Sequence, residues 1–133
     1  VHGNNKSKEL IQIGYGNKLE EIFEKNYNLF TLKYLSNKYD MSDLIFGKRS
    51  LSFFLNIDNL PGYNYKKLKK IKKRIGKKNI YFNGGYLIKN YSNLYNLDAI
   101  QLELSRDLRD KRNIDSISKK LGEAIIRFYL VNY

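Results

Sequence analysis

The sequence predicts an α/β protein, a mixed sheet flanked by helices, in a single domain over residues 1 to 133. Three observations carry that expectation. Segments that alternate apolar and polar residues are interleaved with segments whose apolar residues recur every three or four positions, the signature of strands and helices in layers. Glycine, proline and asparagine punctuate the boundaries. The length of 133 residues suffices for one buried core and is short for two.

Glu9 to Ile13 alternates as a strand and runs into Gly14-Tyr15-Gly16, a turn, before Asn17, whose side chain suits a helix N-cap. Leu19, Ile22, Phe23, Asn26, Phe30 and Leu35 follow at helical spacing, which predicts one long helix or two short ones over residues 18 to 38. Residues 43 to 58 read as one or two strands about a turn at Gly47, and Pro61-Gly62 marks a loop. A helix is expected over Tyr65 to Ile75, with Leu68, Ile71 and Ile75 as a narrow apolar stripe and Gly76 as its stop. Asn79 to Phe82 reads as a short strand, Gly84-Gly85 as a turn, and Asp98 to Ser105 as a strand. Along that strand Ile100, Leu102 and Leu104 share one face while Gln101, Glu103 and Ser105 share the other, so a carboxylate is presented opposite the core. Arg106 to Lys111 is a charged connection, and Ile114, Ile117, Leu121, Ala124, Ile125 and Phe128 describe an amphipathic helix.

Composition narrows the chemistry. There is no cysteine, which removes disulfides, thiolate metal sites and cysteine nucleophiles and fits a reducing, cytoplasmic setting. His2 is the sole imidazole. No apolar run approaches the roughly 18 residues of a membrane span, and neither a signal nor a transit sequence is visible. The formal charge of +12 attracts polyanions. Nine of the thirteen residues from Lys66 to Lys78 are cationic, enough to hold a phosphate backbone through counterion release. The same lysines are also what an AT-biased coding sequence leaves on a solvated face, and no aromatic residue interleaves with them to stack on bases. Gly14-Tyr15-Gly16 lacks the rest of a dinucleotide fingerprint, and neither a phosphate-loop lysine motif nor a nucleophile elbow is present.

Three segments bear a resemblance. Val1-His2-Gly3, with Gln12-Ile13-Gly14 beyond it, resembles the Asp-x-His-Gly segment and the following isoleucine-glycine strand end of the N-formylglutamate amidohydrolase family. Asn83-Gly84-Gly85-Tyr86-Leu87-Ile88-Lys89 resembles that family's Phe-Lys-Gly-Gly-Tyr-Ile-x-Arg segment, and Ala99-Ile100-Gln101-Leu102-Glu103-Leu104-Ser105-Arg106 resembles its Gln-x-Glu strand. The order and spacing of the last two are the specific part; residues 17 to 78 match only in element order.

The resemblance implies a zinc-carboxypeptidase-like fold, of which this chain is the C-terminal portion. It also implies cleavage of the N-acyl amide of a small, carboxylate-bearing, amino-acid-like substrate. In such enzymes a zinc ion held by two histidines and a carboxylate activates water, and a nearby carboxylate moves the proton. By resemblance His2 is the last zinc ligand and Glu103 the general base. Arg106 and Lys89 are cationic partners of the substrate carboxylate, and Gly84, Gly85 and Tyr86 shape the pocket. The family's His-x-x-Glu pair falls before Val1, so an upstream segment or a partner chain has to complete the ligand set. Lys89 stands where the family carries arginine, which keeps the charge and loses the planar fork. From the residues alone Glu103 reads equally as an ion-pair partner of Arg106 or Arg109, and His2 as a terminal bystander. A second class of reading is a non-catalytic module of the same fold that binds RNA or a nucleoprotein through Lys66 to Lys78.

Overall fold

Alternation along Ile11-Gln12-Ile13-Gly14 and Gln101-Leu102-Glu103-Leu104 sets up the sheet. The computed structural model describes residues 11–16, 31–57, 60, 84–95 and 97–133. Strand β1, Ile11–Gly14, pairs antiparallel with strand β2, Gln101–Leu104, so that Ile11 faces Leu104, Gln12 faces Glu103, Ile13 faces Leu102 and Gly14 faces Gln101. Ile11 and Ile13 are buried, and Leu102 and Leu104 pack with them on the same side. Among the described residues this antiparallel pair is the whole sheet, and helices make up most of the remaining structure.

The helices are α1 (Lys33–Ser36), α2 (Met41–Phe46), α3 (Leu51–Ile57), α4 (Gly85–Tyr95) and α5 (Ile114–Asn132), with a 3₁₀ turn at Asp107–Arg109. The strands expected over residues 43 to 58 are overturned: this stretch forms α2 and α3. The reason is capping. The Asp40 carboxylate accepts from the Ser42 backbone amide at 2.7 Å and starts α2, and the Ser50 hydroxyl accepts from the Phe53 amide at 3.2 Å and starts α3. Gly47 ends α2 with its amide on the Asp43 carbonyl at 2.9 Å, and a β-carbon there would collide with the Asp43 side chain and backbone. Leu51, Phe54 and Leu55 then form a buried helical face.

Helix α5 matches its expected stripe in part. Ile117, Leu121, Ala124 and Phe128 face the core, whereas Ile114 and Ile125 are exposed. Phe54 of α3 meets Phe128 edge-on, with ring centroids 6.4 Å apart. The C-terminal turn of α5 is clasped by the loop between α2 and α3: Arg49 Nη1 donates to the Val131 carbonyl at 3.1 Å, and Asn132 Nδ2 donates to the Arg49 carbonyl at 3.1 Å. A guanidinium beside free helix carbonyls also complements the helix dipole. The Asn17 cap, most of the helix expected over residues 18 to 38, the Pro61-Gly62 loop, the Tyr65 to Ile75 helix with its Gly76 stop and the Asn79 to Phe82 strand lie outside the described residues. Among the described residues no helix is long and apolar enough to cross a membrane.

The segment leading into β2 is fixed by one side chain. The buried Thr31 hydroxyl accepts from the Ala99 amide at 2.7 Å and donates to the Ala99 carbonyl at 2.5 Å. Leu32 follows in the left-handed region at φ 54, a conformation that costs a residue with a Cβ about 1–2 kcal/mol and that the surrounding bonds impose. Thr31→Val keeps the shape and leaves both Ala99 groups without a partner, so it is expected to cost about 1–3 kcal/mol. The urea midpoint at unchanged m-value measures it, and a loss well below that range contradicts the role assigned to this pair.

Candidate functional site

The direct pairing of Gln12 with Glu103 places their side chains together on the face of the β1–β2 ribbon opposite the core. Gln101 and Ser105 share that face by alternation. Glu103 is half-buried, and among the described residues it receives no hydrogen bond or ion pair. The Gln12 Oε1 and Ser105 Oγ atoms are buried and also without partners. A polar face with free acceptors therefore lies on the side of β2 that does not carry the core.

The Gly84 backbone lies against the end of β1. Gly84 sits at φ +84, and a β-carbon on it would press on Ile88 Cδ1 and lie 3.1 Å from the Gly14 carbonyl carbon. Glycine meets both demands, the left-handed backbone and the close approach. Gly14, which Gly84 approaches, pairs with Gln101 of β2. Gly85 opens α4, which carries Tyr86 with 81% of its surface exposed and Lys89 half-buried. The structure thus brings Gly84 to Gly14 at the end of β1 and turns the Tyr86 ring to solvent.

Arg106 is exposed in the turn after β2, and neither it nor Arg109 pairs with Glu103. Both line an open depression of about 550 Å³ with Asp107, Asp110 and Lys111. Asp110 is already engaged, since Arg112 Nη2 and Nε reach its two oxygens at 2.9 and 3.1 Å and hold its carboxyl below the usual range. The depression is left with a cationic surplus.

His2 lies outside the described residues. Among the described residues no three of His, Cys, Asp or Glu are grouped so as to hold a metal ion. The described residues therefore do not furnish a zinc site.

A second constellation escaped the reading of the sequence. Asp98 sits just before β2 with its Oδ2 accepting from the Tyr133 hydroxyl at 2.7 Å and its Oδ1 from the Tyr34 amide at 3.3 Å, at the start of α1. Tyr133 stacks on Tyr34 with centroids 5.8 Å apart and on Tyr129 at 5.2 Å. Lys38 Nζ lies 4.3 Å from the Tyr34 ring centroid. Burial, the bond to Asp98 and that carboxylate's charge push the Tyr133 hydroxyl well above the ordinary phenol range. Beside it is a cleft of about 260 Å³ between β2 and α5, lined mainly by Leu32, Ile100, Leu102, Ile125 and Phe128. The available signal was the i, i+4 spacing of Tyr129 and Tyr133, which aligns two rings on one helix face.

Tyr15 is wholly buried and its hydroxyl lacks a hydrogen bond of normal geometry; burial pushes it upward, and the Leu51 backbone opposes this in part. Tyr15 and Tyr133 are both raised in the folded state. Their contribution is complete below the unfolded value of about 10 and is lost as pH rises above it. Tyr15→Phe removes one such group and no hydrogen bond, so stability at pH 7 should change by less than about 1 kcal/mol. The alkaline unfolding midpoint should rise, and an unchanged midpoint in a circular-dichroism titration contradicts this account.

No protein-family model, curated protein sequence or solved structure matches this chain.

Proposed function

We propose that the chain is the C-terminal portion of a metal-dependent amidohydrolase of the N-formylglutamate amidohydrolase type, with a zinc-carboxypeptidase-like fold, acting in the cytoplasm. Its substrate is a small, amino-acid-like molecule bearing a carboxylate and an N-acyl amide. The observation that carries the reading is Glu103, a half-buried carboxylate on a polar sheet face with no partner among the described residues. A free carboxylate in that setting can accept the proton of an attacking water and return it to the leaving nitrogen. Gly84, close against Gly14 at the end of β1, supports the reading as the glycine segment the resemblance assigns to the pocket, and Arg106, in the turn after β2, offers a cation to a substrate carboxylate. Zinc ligation calls for groups beyond the described residues, His2 among them, so the chemistry assigned here is confined to Glu103 and its neighbours.

The test is hydrolysis of N-formyl and N-acetyl amino acids by the full-length gene product, purified with zinc. Glu103→Gln should lower kcat by about 10²–10⁴-fold with little change in KM. Absence of hydrolysis in the zinc-loaded wild-type protein, or full activity in the variant, overturns the proposal.

A second reading is favoured by one observation, the cationic surplus of the depression lined by Arg106, Arg109 and Lys111. In that reading the fold serves a basic surface for RNA, joined by Lys66 to Lys78, which lie outside the described residues. Binding should then weaken with salt at a slope of about −0.7 per phosphate contacted. Reversing the charge of those lysines should flatten the slope, and tight binding at an unchanged slope excludes the surface.

A further inference from the structure

A carboxylate held at the mouth of an apolar cleft normally has a cation beside it, because removing the charge from water is costly unless it is paired. Asp98 is half-buried and lines the cleft between β2 and α5, yet among the described residues no cation lies within salt-bridge distance of it. This holds although twelve lysines and arginines lie among the described residues. Arg49 and Arg112 are committed to Asp43 and Asp110, and Lys38 lies over the Tyr34 ring instead. The two partners Asp98 does have, the Tyr133 hydroxyl and the Tyr34 amide, are uncharged donors, one to each oxygen. An ionised carboxylate offers about four lone-pair sites, which leaves about two open.

The rest of the cleft is built for an apolar body. Leu32, Ile100, Leu102, Ile125 and Phe128 contribute hydrocarbon, and the volume of about 260 Å³ equals that of about eight or nine waters at ~30 Å³ each. A single ring or a branched chain fits such a space. The Tyr133 ring stacks on Tyr34 and on Tyr129, and Tyr133 braces Asp98 through its hydroxyl. The wall is also preorganised. Thr31 pins Ala99, and Leu32 is held in a left-handed backbone conformation where it lines the cleft.

We propose that this cleft binds a small organic cation, a protonated primary amine on a monocyclic or branched apolar body, with its ammonium on Asp98 at the mouth and its hydrocarbon against Ile100, Leu102 and Phe128. The site is separate from the Glu103 face, since Ile100 and Leu102 lie on the core side of β2 and Glu103 on the other. Binding at the mouth leaves the ammonium partly solvated, so a charge-assisted hydrogen bond forms there without full dehydration.

The experiment is a methyl-resolved NMR titration of the whole chain with three probes of one shape: 2-phenylethylamine, 2-phenylethanol and phenylacetate. The amine is expected to saturate the Ile100, Leu102 and Ile125 methyl shifts, the alcohol to bind at least about tenfold more weakly, and the acid not to bind. Asp98→Asn keeps one acceptor oxygen for the Tyr34 amide and turns its Nδ2 to donate to the Tyr133 hydroxyl oxygen, and should make amine and alcohol bind alike. The amine-to-alcohol ratio on the wild-type chain needs no variant, so a misfolded Asp98→Asn leaves the test intact. Equal affinities for amine and alcohol on the wild type, shifts confined to residues outside the cleft, or no saturation by the amine each overturn the proposal.

Discussion

The register of β1 against β2 is the constraint from which the rest of the described structure follows. With Ile11 opposite Leu104 and Ile13 opposite Leu102, four branched side chains enter the core and Gln12 and Glu103 are left together on the other side. Side chains alternate with a period of two, so a slip of one residue would drive the Glu103 carboxylate into hydrocarbon and expel two isoleucines to water. Each buried aliphatic side chain contributes about 1.5–3 kcal/mol, and an unpaired buried carboxylate costs several more. That difference selects one register.

How far this was legible in the sequence depends on the range of the forces involved. The alternation of Ile100 to Ser105 and the helical recurrence of Ile117, Leu121, Ala124 and Phe128 are local patterns, and both appear as β2 and as the buried face of α5. Residues 43 to 58 misled because a short apolar run such as Leu51-Ser52-Phe53-Phe54-Leu55 fits a strand or a helix equally by hydrophobicity. What decides it is polar. Asp40 and Ser50 each satisfy a backbone amide that would otherwise be orphaned at a helix start. Weighing Asp40 three residues before Asp43 as a capping signal would have favoured helices.

The candidate site divides along the same line. That Glu103 faces away from the apolar side of its strand follows from a pattern five residues long. The Asp98 constellation does not, because Asp98 meets Tyr34 from 64 positions away and Tyr133 from 35, and Thr31 holds Ala99 across 68. Contacts of that separation are products of tertiary packing, and no window along the sequence contains both partners. Asp98 read simply as the polar residue ahead of a strand; its position at the mouth of a cleft arises only when α1 and α5 converge on it.

Charge distribution ties these features to function more closely than net charge does. The chain carries +12, which by itself signals only a field attractive to anions. Among the described residues, arginines sit beside the half-buried Asp43 and Asp110 and not beside Glu103 or Asp98. Arg49 spans Asp43, the Tyr39 ring and the end of α5, and Arg112 closes on Asp110 at the surface, while Glu103 and Asp98 have no cation beside them among the described residues. The two carboxylates also lie to opposite sides of the same strand, one toward a polar face and one toward an apolar cleft. Strand β2 therefore serves as a partition, and the chemistry on each side is set by which residues its alternation turns toward it.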